Sequence, residues 1–186
     1  MPIDRKKFFD GIRQQPFDGK LNAGQVAGTS AILDEWERRK LTDLRSLAYM
    51  LATTKWETAH TMQPITEGGS QSYLRGKKYW PWIGRGYVQL TWERNYIAMT
   101  KLLNQAGFDV SLTEKPELAL DKKIAAFVMF EGMIRGTFTG KKLADYFTPA
   151  KTDWLNARRI INGTDKAAEI AAIAKAFFTD LSVASS

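Results

Sequence analysis

Two glutamates in KWETAHTMQPITEGG (residues 55–69), Glu57 and Glu67, are the side chains whose type and spacing best suit acid/base chemistry. On one continuous helix their Cα atoms would lie about 15 Å apart, pointing roughly 80° apart around the axis. No two-carboxylate reaction uses that geometry. Pro64 stands between them, disfavours helix at Gln63 and ends the helix there, so the chain can fold back and Glu67 can face Glu57 across a gap. Glu57 falls at the edge of an apolar helical stripe, next to Trp56, a setting that desolvates a carboxylate and favours its protonated form. Glu67 precedes Gly68, Gly69 and Ser70 and should be wetter and stay ionised. Two carboxylates set apart by environment are the pairing used for general acid/base cleavage of glycosidic bonds. The plainer reading is that both are solvated surface charges.

The elements that must position this pair are mostly helical. Apolar spacing predicts helices at 4–13, 22–39 and 43–60, the last capped by Thr42 and buried through Leu44, Leu47, Ala48, Leu51 and Thr58. Further helices are expected at 93–106, 117–135, 141–147, 151–161 and 165–181. Residues 61–86 read as a long loop, and YVQLTW (87–92) alternates like a short strand. Seven of the twelve Trp and Tyr residues lie between 73 and 96. That concentration suits a binding surface for flat, partly apolar ligands such as sugar rings. Trp92 and Tyr96 are the exceptions, expected in the core. Neither repeat nor linker is visible, so residues 1–186 are expected to form a single catalytic domain without a separate wall-binding domain.

Composition narrows the chemistry. Cysteine is absent and His60 is the sole histidine, which excludes disulfides, thiol nucleophiles and histidine-rich metal sites. A Ser-His-Asp triad would have to use His60, and no GxSxG turn accompanies it. The start MPIDRKKFFDGIR has no apolar stretch behind its charges, so no signal peptide is expected. No run approaches the roughly 18 apolar residues of a membrane span. The net charge of +7 calls for an anionic partner or, more plainly, keeps the protein soluble. Lys and Arg come in ones to threes rather than in a block, which fits a bacterial envelope at least as well as nucleic acid.

Three motifs carry a resemblance. WET (56–58), GRGYVQLTWERNY (84–96) and RIINGT (159–164) occur in the order found in glycoside hydrolase family 19, the plant-type chitinases and related phage endolysins. MQPITEGGSQSYL and KKYWPWIG are most similar to the compact endolysin branch, and the resemblance spans about residues 20–181. It implies a mainly α, lysozyme-like, family 19 chitinase-like fold with a small extended region beside a cleft. Glu57 would be the general acid, Glu67 the general base, and Thr91 the hydroxyl that helps hold the attacking water. Gln89, Asn95 and Asn162 match substrate-contacting positions, and Tyr87, Trp82 and Arg85 join them as expected substrate-binding residues. An inverting mechanism follows, with no metal and no cofactor.

The chain departs from the family pattern in three places. Trp56 replaces a histidine before the acid, the step between the glutamates is short, and Ile170 stands where those chitinases have a cleft arginine. Arg85 or Arg158 would supply the missing charge near the base. The expected partner is the β-1,4 glycan of peptidoglycan, with chitin as the alternative, together with the anionic bacterial envelope. No nucleic acid and no stable membrane insertion are expected, and the protein should be a monomer. An endolysin would wait in the host cytoplasm and reach the periplasm and wall after holin-type release. Other readings are a silent glycan-binding protein, and an envelope-disturbing C-terminal helix in KAAEIAAIAKAFFTDL (166–181), whose apolar positions Ile170, Ile173, Ala174, Phe177 and Leu181 are more simply core.

Overall fold

The computed structural model describes residues 2–186. Its order begins with α1 (Arg5–Gln14), α2 (Ala23–Arg38) and α3 (Leu44–Glu57). Each starts on a side chain that accepts from an orphan backbone N–H: Asp4, Asn22 and Asp43. Asn22 and Gln25 form a reciprocal capping box. Asp43, not Thr42, caps α3, because its carboxylate accepts from Arg45 N while also holding the Arg45 side chain.

The helix that carries Glu57 ends seven residues before Pro64, so the proline is not its terminator. The end is built by backbone turns in the left-handed region at Ala59, His60 and Met62. Thr58 supports them: its hydroxyl donates to Thr54 O and accepts from Met62 N. Gly28 on α2 makes room for this turn, since a Cβ there would overlap the Met62 carbonyl.

The chain then forms β1 (Ile65–Thr66), α4 (Gln71–Arg75) and β2 (Arg85–Gly86), so residues 61–86 are more ordered than the expected loop. β1 and β2 pair antiparallel, Ile65 against Gly86 and Thr66 against Arg85. The expected strand at 87–92 does not form. Gly86 and Gln89 both take positive φ, which curls the segment so that only Leu90 bridges back to Arg85. The alternation there reflects burial of Tyr87, Val88 and Leu90 without a ladder.

Next come α5 (Glu93–Gln105), α6 (Lys122–Arg135), the hairpin β3 (Phe147–Thr148) with β4 (Lys151–Thr152), and α7 (Ala167–Ala184). Three regions read as helix are shorter. Residues 116–120 are a 3-10 turn that breaks at Asp121, the cap of α6. Residues 143–145 and 156–160 are 3-10 turns on either side of the hairpin.

The apolar run of α6 is buried all round and divides two cores. Ala125, Ala126, Met129, Phe130 and Met133 join a large core with α1, α2, α3 and α7. Ile124, Phe127 and Val128 join a smaller one with Leu90, Tyr96, Met99, Leu103 and Leu112. Phe138 packs against both. Among the described residues no helix is long and apolar enough to cross a membrane.

Candidate active site

A cleft of about 290 Å³ opens where the two cores meet. It is walled by Glu57 from α3, by Val88, Gln89, Thr91, Trp92 and Asn95 around the start of α5, and by Phe138, Ile161 and Asn162. Five residues singled out in the sequence therefore share one cavity: Glu57, Gln89, Thr91, Asn95 and Asn162.

Glu57 sits on the last turn of α3 with its side chain 17% exposed. Its neighbour is not an apolar wall, as expected, but the guanidinium of Arg158, which donates to Oε1 at 2.6 Å. Arg158 is 4% exposed and also donates from Nε to Asp165 O at 3.1 Å, so it is fixed from both ends. Oε2 has no hydrogen-bond partner among the described residues, and Glu57 lines the cleft. Tyr49 lies behind the pair. Burial pushes its phenol well above the usual range, and its hydroxyl has no partner among the described residues.

Glu67 directly follows β1 and is not among the residues that wall this cleft. Tyr79 OH donates to Oε1 at 2.8 Å and Gly84 N to Oε2 at 3.0 Å. Its own N–H donates to Gly84 O at 2.7 Å. Each of its carboxylate oxygens therefore accepts from one neutral donor. Gly84 also connects the two halves: a Cβ there would press on both Glu67 Cβ and Gln89 Oε1. Gln89 is anchored from Nε2 to Ile65 O at 3.1 Å, on the strand that immediately precedes Glu67.

Thr91 Oγ1 donates to Gln89 O at 2.7 Å, and Asn95 Nδ2 donates to Thr91 O at 2.8 Å. The loop 89–92 is thus braced from both sides. Gln89 and Trp92 have φ of 54° and 74°. Such conformations in bulky residues cost energy and gather at functional sites.

Three expected ligand residues have other tasks. Tyr87 is fully buried and donates its hydroxyl to Gly28 O, so it has no surface to offer a substrate. Arg85 spends Nη1 on Pro81 O, Ile83 O and Tyr96 OH, holding the loop before β2. Trp82 packs on the smaller core and its carbonyl accepts from Trp92 N. The expectation that Arg85 or Arg158 serves the base is also corrected: Arg158 pairs with Glu57. Tyr96 is core, as expected, but Trp92 is 45% exposed and lines the cleft. Its membership of the aromatic concentration at 73–96 was the available signal. Phe138 and Ile161 carried none, since their place depends on distant packing. Among the described residues no three His, Asp or Glu side chains stand together as metal ligands would.

No family model and no curated protein matches the chain. Among solved structures it is similar to the crystal structure of a chitinase C glutamate-to-glutamine mutant, with a TM-score of 0.56 and 19% identity. The alignment covers 97% of this chain and 92% of that one. Likeness at this identity carries the fold: mainly α and lysozyme-like, as found in a chitinase.

Proposed function

We propose that this chain is an inverting glycoside hydrolase of the family 19 kind that cleaves β-1,4 bonds of peptidoglycan, in the manner of an endolysin. The observation that carries the reading is the cleft itself, where Glu57, Thr91, Gln89, Asn95 and Asn162 converge, while Glu67 directly follows β1, whose Ile65 O holds Gln89 of the cleft wall. Glu57, ion-paired with Arg158 through Oε1 in the free chain, takes up a proton from solvent on Oε2 and donates it to the glycosidic oxygen, which restores the carboxylate opposite Arg158. A water positioned with the help of Thr91 attacks the anomeric carbon from the opposite face and gives its proton to Glu67. Cleavage leaves a new reducing end of inverted configuration, and the two carboxyls then exchange one proton with solvent to reset. Side chains alone perform these steps. The net charge of +7 favours the anionic wall as substrate. Chitin is the second reading, favoured by the chitinase neighbour.

Mass spectrometry of products from purified peptidoglycan, with a chitin hexamer in parallel and Glu57→Gln as blank, tests this. Muropeptides with new reducing ends, absent from the blank, are expected. Chitin fragments alone would move the assignment to a chitinase. No product from either would end the hydrolase reading.

A further inference from the structure

Trp92 is an anomaly that the proposed chemistry leaves unexplained. It is a large aromatic residue, 45% exposed, at the N-cap of α5, with φ 74° and ψ 135° and no capping side-chain bond. A residue with a bulky side chain rarely adopts that backbone, and glycine adopts it freely. Apolar burial does not account for it, because nearly half of the ring is in solvent. The backbone is locked there by its neighbours: Trp92 N donates to Trp82 O at 2.9 Å, and Trp92 O accepts from Asn95 N at 3.0 Å and Tyr96 N at 3.2 Å. The chain therefore maintains a costly conformation whose visible effect is to hold an indole in the cleft mouth.

The indole is not alone. Tyr79 packs edge-on against it, with ring centroids 5.1 Å apart and planes at 64°. The same Tyr79 donates its hydroxyl to Glu67 Oε1 at 2.8 Å. The two rings meet as an aromatic corner, one member of which lines the cavity while the other holds a carboxylate of the proposed pair. Flat apolar faces with polar edges match the C–H-rich face of a pyranose ring.

We infer that Trp92 and Tyr79 form a stacking wall for an N-acetylhexosamine ring, and that Tyr79 makes this wall a positioning device for Glu67. The inference rests on the glycan-hydrolase reading. A sugar seated on Trp92 fixes the tyrosine edge behind it, and the tyrosine hydroxyl fixes the Oε1 side of Glu67. The carboxylate that takes the proton from water is then oriented by the substrate ring that will be attacked. Trp92 acts on binding, and Tyr79 acts through Glu67.

Glycine at position 92 separates a binding role from a structural one. Affinity of N-acetylglucosamine hexamer is measured by calorimetry on Glu57→Gln and on Glu57→Gln with Trp92→Gly, beside the thermal midpoints of both. Loss of about tenfold in affinity, with the midpoint held or raised, is expected, because glycine relieves the backbone while removing the stacking face. Unchanged affinity between these two, with the wild type still cleaving glycan, overturns the wall alone. If Trp92→Gly fails to fold, Trp92→Phe and Trp92→Leu compare ring with no ring, and equal affinities overturn it as well. Tyr79→Phe should keep the affinity and lower kcat, with the low-pH limb of the pH–rate profile, which reports the base, displaced. An unmoved profile removes the coupling to Glu67. Absence of any hexamer binding and of any glycan cleavage by the wild type would mark failure of the hydrolase reading itself, and the wall with it.

Discussion

Glu57 is tied to a buried cation, and that sets the sign of what its replacement does. Active-site carboxylates often cost stability, so removing one commonly stabilises the fold. Here Arg158 is 4% exposed and its charge is answered by Glu57 Oε1. Truncating Glu57 to alanine leaves a buried guanidinium without a countercharge, at about 3 kcal/mol. Glutamine keeps an acceptor for Arg158 and should cost about 1 kcal/mol. Urea unfolding should therefore rank wild type above Glu57→Gln above Glu57→Ala, while both variants lose glycan cleavage. Equal or raised midpoints for Glu57→Ala would show that the ion pair contributes nothing to folding. At this scale the sequence was legible for residues that wall the cleft: Glu57, Thr91, Gln89, Asn95 and Asn162 were all visible in short motifs. It was not legible for Arg158 as the partner of Glu57, because 101 residues separate them and only tertiary folding brings them together. Trp92 was misplaced for a related reason, since periodicity assigns an apolar residue to the core and carries no information about a positive φ.

The element that matters most is the turn leaving α3, because it sets where β1 and Glu67 begin. Sequence reasoning found the reversal but credited Pro64. The work is done nearer the helix end, by backbone geometry that Ala59, His60 and Met62 do not advertise as residue types. Lys55 and His60 clasp this turn. Lys55 Nζ and His60 Nδ1 are 2.5 Å apart, His60 N donates to Lys55 O, and Gln25 Nε2 donates to His60 O. Lys55 is buried, with its ammonium over the Phe17 ring, and the other charged group facing the pair is Asp18. Burial, then the Lys55 charge, push His60 below its ordinary 6.5, with Asp18 opposing. A folded value below the unfolded one means the neutral imidazole costs nothing above 6.5, and stability is lost as pH falls through the folded value. Thermal midpoints at about pH 7.5 and about pH 5 should thus drop further in wild type than in His60→Gln, which cannot take the proton. Equal drops would mean that His60 titrates alike in both states and the clasp is not pH-sensitive.

At the scale of the whole molecule, the two cores that flank α6 explain both the cleft and the fate of the C-terminal helix. Ile170, Ala174, Phe177 and Leu181 of α7 are fully buried, and Asp4 N donates to Ala184 O, tying the beginning of the described chain to the end of α7. The apolar face that suggested an envelope-disturbing helix is spent inside the large core, against α1 and α3. Attraction to a bacterial wall must then come from the molecule's charge as a whole, 27 Lys and Arg against 20 Asp and Glu. Long-range attraction of this kind is screened, the Debye length shrinking from about 10 Å at 0.1 M salt to about 3 Å at 1 M. Short-range contacts inside the cleft are far less sensitive. Raising salt across that range should therefore lower kcat/KM on intact anionic sacculi about tenfold or more, while leaving kcat/KM on a neutral N-acetylglucosamine hexamer within about twofold. Parallel decline on both substrates would place the salt effect in the cleft or the fold rather than in steering. No decline on sacculi would mean that the surplus charge serves solubility, and the preference for an anionic wall over chitin would lose its physical basis.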